Sequence, residues 1–165
     1  MTVLVTGMSG TGKSAVLECL AREGFRVVDT DAGGWIEDVP QPGGTVEPLW
    51  REDRIDALLA EHEASGEPLF IAGTVRNQGR FYPRFAEVVL LSAPIATMLD
   101  RVATRVDNHF GRSAAEQAKI IADTEAVVPL LRAGATVEID TGRHALTEVA
   151  ARLRALACGS RRTSG

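Results

Sequence analysis

The run from Val3 to Ser14, V-L-V-T-G-M-S-G-T-G-K-S, constrains this chain more than any other stretch. Val3, Leu4 and Val5 are apolar, two of them β-branched, and read as a buried strand. Gly7-Met8-Ser9-Gly10-Thr11-Gly12-Lys13-Ser14 then fits the phosphate-loop pattern G-x-x-x-x-G-K-[ST] at every position. Glycines let such a loop curl until successive backbone N–H groups point inward at phosphate oxygens. A helix expected over about 13–23 presents its positive end and unpaired N–H groups to the same anion. In that arrangement Lys13 reaches the β- and γ-phosphates of ATP, and the Ser14 hydroxyl sits on Mg²⁺. The alternative is a chance glycine-rich turn, against which stands the required order of strand, loop and helix.

The remainder alternates strand and helix. Apolar, β-branched runs predict strands over 25–28, 68–72, 87–91 and 136–139, the fourth of the five fully apolar in its middle as in a covered parallel sheet. Helical spacing predicts helices over 49–65, 94–105, 113–131 and 145–156, with Ser113 and Glu116 forming a capping box for the third of these. The stretch 32–48 holds Gly33, Gly34, Pro40, Pro42, Gly43, Gly44 and Pro48, so it is expected to be loop, with at most a helical turn near Trp35. Strands alternating with helices imply a doubly wound α/β sheet, in which ligands gather at the carboxyl ends of the strands. The boundaries predict one domain over 1–157 and a disordered polar tail over 158–165.

Two carboxylates, Asp29 and Asp31, end the second predicted strand. One residue apart, they point roughly the same way, toward the triphosphate. Asp29 is the candidate to hold Mg²⁺ with Ser14, and Asp31 to accept a hydroxyl proton from the acceptor. A turn rich in Asp for backbone reasons is the bland alternative. The third strand ends Phe70-Ile71-Ala72-Gly73 without an acid, which weakens a motor-type ATPase reading. Arg51, Arg54, Arg76, Arg105 and Arg112 are candidate cations for an acceptor or for the migrating phosphoryl group. For Arg80, Arg84 and Arg101 a solvated helix face is expected. Trp35 and Trp50 are expected to roof the core rather than stack on a substrate. His62, His109 and His144 make no metal pattern, and His109 is at most a lid candidate.

Composition narrows the partners. The net charge of -4 leaves no basic excess for coating nucleic acid. No apolar run approaches a bilayer span, so no membrane partner is expected. Cys19 and Cys158 lie far apart without metal-like spacing, and no charged-then-apolar leader precedes the first strand; the cytoplasm is the expected compartment.

Taken together, these residues resemble the small P-loop kinases of the nucleoside-monophosphate-kinase-like group, most of all shikimate kinase and its gluconate kinase relatives. The resemblance spans nearly the whole chain. Gly7 to Ser14 is similar to that group's phosphate loop, and Asp29-Thr30-Asp31 resembles its D-x-D. It implies a three-layer, five-stranded parallel sheet in the order 2-3-1-4-5, ATP and Mg²⁺ as cofactors, and a small hydroxylated metabolite as acceptor. By the same resemblance Arg51 and Arg54 stand at the acceptor-binding helix, and Gly73 at the glycine-rich turn after the third strand. A lid at about 105–113 carries Arg105 as a catalytic cation, and Thr141 belongs to the adenine-contacting loop. Departures cluster around the acceptor: Gly73-Thr74-Val75 replaces three glycines, and Asp107-Asn-His-Phe-Gly-Arg112 replaces the usual lid run.

The leading expectation is therefore an ATP-dependent kinase for a small metabolite, acting as a monomer or homodimer, with Asp31 and the residues around Gly73 and Arg76 at the acceptor. A nucleotide or nucleoside kinase is the second reading, with Trp35, Trp50 or Phe81-Tyr82 stacking on a base. An ATP-binding regulator without any acceptor is the third.

Overall fold

Apolar runs that alternate with helices settle here into a parallel sheet covered on both faces. The computed structural model describes residues 1–104 and 113–159. Its main sheet contains β1 (Thr2–Thr6), β2 (Arg26–Asp29), β5 (Leu69–Ala72), β6 (Glu87–Ser92) and β7 (Val137–Asp140). The remaining strands, β3 (Ile36–Pro40) and β4 (Val46–Trp50), form a separate hairpin. Sheet order is β2-β5-β1-β6-β7, all parallel; counted among the sheet strands alone this is 2-3-1-4-5, the expected order. Register brings Asp29 level with Ala72 and Ala72 level with Val5, so the loops after these strands open on one edge.

Alternate residues of each strand feed opposite cores. Val3, Val5, Phe70, Ala72, Val89, Leu91 and Ile139 pack beneath α1 (Lys13–Arg22) and α5 (Leu146–Gly159). Leu4, Leu69, Ile71 and Val88 face the other way, onto α2 (Glu52–Ser65) through Ile55, Leu58 and Leu59, and onto a 3-10 helix at Gln78–Arg84 through Phe81. Each valine, leucine, isoleucine or phenylalanine among them, almost wholly withdrawn from water, contributes about 2 kcal/mol of transfer free energy. Two more helices, α3 (Ile95–Ala103) and α4 (Ala114–Gly134), complete the layers. The capping box expected at α4 is present: Ser113 Oγ accepts the Glu116 N–H at 3.1 Å and donates to Glu116 Oε1 at 2.9 Å. Among the described residues no helix is long and apolar enough to cross a membrane.

The stretch 32–48 corrects the loop expectation. Ile36–Pro40 and Val46–Trp50 pair antiparallel, with Ile36 opposite Trp50 and Pro40 opposite Val46. Gly43 and Gly44 supply the turn with φ of 97° and 84°, and the Gln41 N–H donates to Thr45 O across it at 2.7 Å. Pro40 and Pro48, which argue against a central strand, are tolerated because a two-stranded ribbon is all edge. Leu49 and Trp50 consequently belong to β4, and α2 starts at Glu52 rather than at 49.

Trp50 anchors the hairpin to the body. It is 1% exposed, donates its indole N–H to Thr30 Oγ1 at 3.0 Å, and meets Phe81 edge-on at 5.9 Å. The Asn77 side-chain amide accepts the Trp50 N–H and donates to the Trp50 carbonyl, each at 3.0 Å. A Cβ on Gly73 would strike Thr30 Oγ1 and come within 3.1 Å of the Trp50 ring. The expectation that Trp50 roofs the core holds, and Phe81 is buried with it.

His62, 2% exposed near the end of α2, has no hydrogen-bond partner for Nδ1. Burial first, and the neighbouring Arg26 on β2 second, push its pKa below the ordinary 6.5; Glu61 on its own helix acts in the opposite sense, and the chain's amino terminus acts with Arg26. Glu23 and Glu67 line the same recess. The neutral ring is thus kept in the fold while the unfolded chain takes up a proton as pH falls through 6.5. That part of the stability is present above this value and lost below it. Melting temperature is expected to fall between pH 7 and pH 5, and His62→Gln to flatten the slope; parallel slopes for the two proteins would refute the assignment.

Candidate active site

The phosphate loop is closed by its own side chains. Thr11 Oγ1 donates to Met8 O at 2.7 Å, and Lys13 Nζ donates to the carbonyls of Gly7 and Met8, the latter at 3.1 Å. Gly12 starts α1 with φ of 97°, and a Cβ there would meet nothing within 4 Å. The missing side chain therefore leaves open space over the helix N-terminus, as an anion seated on the loop requires. A cleft of about 280 Å³ occupies this position, lined by Gly12, Lys13, Ser14, Asp31 and Arg101 among others.

Asp29 ties the second strand to the loop. Its Oδ2 accepts the Ser14 hydroxyl at 2.8 Å, and its Oδ1 accepts the Asp31 N–H at 3.1 Å. The second bond is an Asx turn, so the backbone reason weighed for the Asp pair also operates. Asp31 lines the same cleft as Lys13. A hydroxyl touching a carboxylate beside a phosphate cradle is a hard-oxygen set of the kind Mg²⁺ takes, with phosphates and waters completing its shell. Among the described residues no group of three His, Cys, Asp or Glu could hold a metal without such help. Ser14 and Asp29 thus fit the ion.

A second cavity of about 240 Å³ adjoins the first and shares Gly12, Ala15 and Arg101 with it. Val16, Leu146 and Val149 give it aliphatic walls, and Thr141 and His144 give it polar ones. Arg101, expected on a solvated face, lies between the cavities. Its Nη1 donates to Gly10 O at 3.1 Å and to Thr141 Oγ1 at 2.9 Å, and its Nη2 donates to Thr141 O at 2.9 Å. Thr141 Oγ1 in turn donates to Thr11 O at 2.7 Å. Helical spacing could not separate Arg101 from its solvated neighbours, because its partners lie 40 and 91 residues away in sequence.

The other candidates are dispersed. Arg54 Nη1 donates to the carbonyls of Gly33 and Gly34 at 3.1 and 2.6 Å, and its guanidinium stacks 4.4 Å from the Trp35 ring centroid. Arg76 pairs with Glu47 of the hairpin at 2.6 Å. Arg51 stands exposed at the N-terminal end of α2, and Gly73 lies under Trp50. Arg80 and Arg84 bind Glu52, Asp56 and Glu63 on α2. Arg105, Arg112, His109 and the lid at 105–112 lie outside the described residues.

Several known proteins share this architecture. A shikimate kinase from Acinetobacter baumannii in complex with shikimate superposes with a TM-score of 0.60 at 20% identity, over 96% of this chain and 93% of that one. A shikimate kinase from Bacteroides thetaiotaomicron gives 0.62 at 17% identity, over 94% and 97%. A gluconokinase from Sinorhizobium meliloti gives 0.58 at 23% identity, over 99% and 97%. At these identities the likeness is one of fold. No curated protein matches the chain. The sequence pattern of the AAA domain family matches residues 3–122, from β1 into α4. With that match spanning the phosphate loop, the Asp pair and most of the sheet, the chain belongs to the AAA domain family.

Proposed function

We propose that the protein is an ATP-dependent kinase that transfers the γ-phosphoryl group to a hydroxyl of a small metabolite. The observation that carries this reading is the convergence of Lys13, the Ser14–Asp29 pair and Asp31 on one cleft. A regulator that only senses nucleotide has no use for a carboxylate beyond the metal pair, whereas a kinase has one for the acceptor's proton. The adjoining cavity between Arg101 and Leu146 suits a flat base, its aliphatic walls set against a guanidinium. Two residues offered for base stacking, Trp50 and Phe81, are buried in the core, which favours a non-nucleoside acceptor.

In this reading the acceptor oxygen attacks the γ-phosphorus, its proton passes to the Asp31 carboxylate, and ADP leaves. Lys13, whose ammonium has three donors, reaches phosphate oxygens from its place on the loop and offsets the charge that develops there. Ser14 and Asp29 would hold Mg²⁺, which neutralises the β- and γ-phosphates when bound. Because Arg54 and Arg76 already have partners within the protein, the acceptor is not required to carry a carboxylate. Residues 105–112, with Arg105, are the proposed lid, and the 1–157 unit the proposed catalytic domain.

The test is ADP release from Mg·ATP measured with neutral polyols, cyclic hydroxy acids and nucleosides offered one at a time. Stimulation of at least tenfold by one non-nucleoside class is expected. Stimulation by nucleosides alone would replace the acceptor class. Slow hydrolysis that no metabolite changes, with a partner protein retained only in ATP, would overturn the kinase reading.

A further inference from the structure

Within Asp29-Thr30-Asp31 the middle side chain turns away from its two neighbours. Asp29 meets Ser14 and Asp31 lines the cleft, whereas Thr30, the first residue past the end of β2, is 1% exposed. Three hydrogen bonds hold it. Its backbone N–H donates to Ala72 O at 3.0 Å, and its hydroxyl donates to the same carbonyl at 2.7 Å. The hydroxyl also accepts the Trp50 indole N–H at 3.0 Å. An indole N–H can only donate, so Oγ1 is its acceptor and the hydroxyl proton is committed to Ala72. Gly73 leaves the room for this arrangement, because a Cβ there would strike Thr30 Oγ1 and crowd the Trp50 ring. The hairpin is thereby fastened, through one buried hydroxyl, to the residue between the two carboxylates.

We propose that Thr30 is a positioning residue whose hydroxyl, keyed by Trp50, aims Asp31 into the cleft. This rests on the reading of Asp31 as the base of a kinase. A single backbone bond past a strand end is a pivot, about which residue 30 can rotate without breaking it. The two hydroxyl bonds stop that rotation by holding the side chain inward. Successive side chains of an extended segment point to opposite sides, so an inward Thr30 keeps Asp31 outward. The chain beyond Asp31 offers less control. It runs into Gly33 and Gly34, with φ of 86° and 77°, whose carbonyls are held by Arg54 in bonds open to water. Asp29 needs Thr30 less, because it lies inside β2, level with Ala72, and bonds Ser14. Valine at position 30 would keep the shape but lose both hydroxyl bonds. The indole N–H would then be buried without an acceptor, a cost relieved when residue 30 and the indole move apart.

ADP release from Mg·ATP with a saturating neutral polyol or cyclic hydroxy acid, set beside Mg·ADP affinity by calorimetry, tests the proposal. Thr30→Val is expected to lower kcat about tenfold while Kd for Mg·ADP stays within about twofold, because Lys13, Ser14 and Asp29 are untouched. Thr30→Ser, which keeps the hydroxyl, should stay within about twofold of the native protein in both. In an Asp31→Asn background, Thr30→Val should change kcat by less than about twofold, because the group it aims is gone. Native kcat in Thr30→Val, equal losses in the Val and Ser variants, a Kd that rises as kcat falls, or an undiminished effect without Asp31 would each overturn the proposal. Calorimetric stoichiometry counts the folded molecules, so kcat is expressed per nucleotide site where Thr30→Val is destabilised. If Thr30→Val does not fold, Trp50→Phe removes the indole donor, spares the hydroxyl and carries the test. It should lower kcat about threefold in the native background and not in Asp31→Asn; no loss, or equal losses in both, overturns the proposal. A native protein that no acceptor stimulates would overturn the kinase reading itself. That result is distinct from a native protein that is stimulated while Thr30→Val works equally well.

Discussion

Lys13→Met is expected to lower kcat/KM for acceptor phosphorylation by about 10³-fold while leaving the fold intact. Donors aimed at developing charge in a cleft of reduced polarity are typically worth about 10²–10³ in rate each, and Lys13 carries a full charge. Lys13 Nζ donates to the carbonyls of Gly7 and Met8, both inside the phosphate loop. Removing it leaves the Gly7 carbonyl its Thr74 hydroxyl donor at 2.6 Å and the Met8 carbonyl its Thr11 hydroxyl donor at 2.7 Å. The core beneath, built on Val16, Leu17 and Leu20, is untouched. Melting temperature and far-UV dichroism should stay close to the native values. Lys13→Arg should be nearly as impaired, because a planar fork does not fit where a compact ammonium reaches past a tight backbone. Activity within tenfold of native in Lys13→Met would sink the assignment of the cleft as the site of transfer.

Much of this was legible from local pattern. Val3 to Ser14 announces strand, loop and helix, because the residue types that cradle an anion differ from those of any ordinary turn. Four of the five sheet strands were legible because their interiors are continuously apolar and β7 because Val137 and Ile139 are β-branched, and the order 2-3-1-4-5 follows from the resemblance that the phosphate loop and D-x-D carry. The hairpin was not legible. Its glycines and prolines carry the composition of a loop, and what makes it a ribbon is tertiary: Trp50 locked onto Thr30, Phe81 and Asn77. Ends of elements drifted for the same reason. Leu49 fits a helical apolar stripe, yet it pairs with Glu37 across the hairpin.

The arginines show the limit more sharply. One-dimensional spacing assigns each to a face but cannot say what waits there. Arg101 meets Gly10 and Thr141 across the two cavities, whereas Arg54 meets Gly33, Gly34 and Trp35 beside its own helix. Sequence distance hides both outcomes equally. Thr74 stands out in the sequence only as a departure from three glycines; that its hydroxyl pairs with both backbone groups of Gly7, 67 residues back along the chain, is invisible there.

Asp31→Asn is expected to cut kcat for acceptor phosphorylation by about 10²–10⁴-fold, the usual worth of a positioned general base. The substitution is close to isosteric, and the bond that orients the turn survives it, since that bond runs from the Asp31 backbone N–H to Asp29 Oδ1. The contact between Ser14 and Asp29 is also left in place, so the residues proposed for the metal keep their geometry. KM for ATP should consequently move by no more than about threefold, and Mg²⁺ dependence should be unchanged. Asp29→Asn should behave differently: the Ser14 hydroxyl loses a charged partner, and the Mg²⁺ concentration needed for half-maximal rate should rise. The two variants thus separate a proton acceptor from a metal-site residue through readouts that do not overlap. If Asp31→Asn kept a native kcat, the acceptor's proton would have to leave by another group, and the division of labour between the two carboxylates would be wrong. If it instead raised KM for ATP at constant kcat, Asp31 would belong to nucleotide binding.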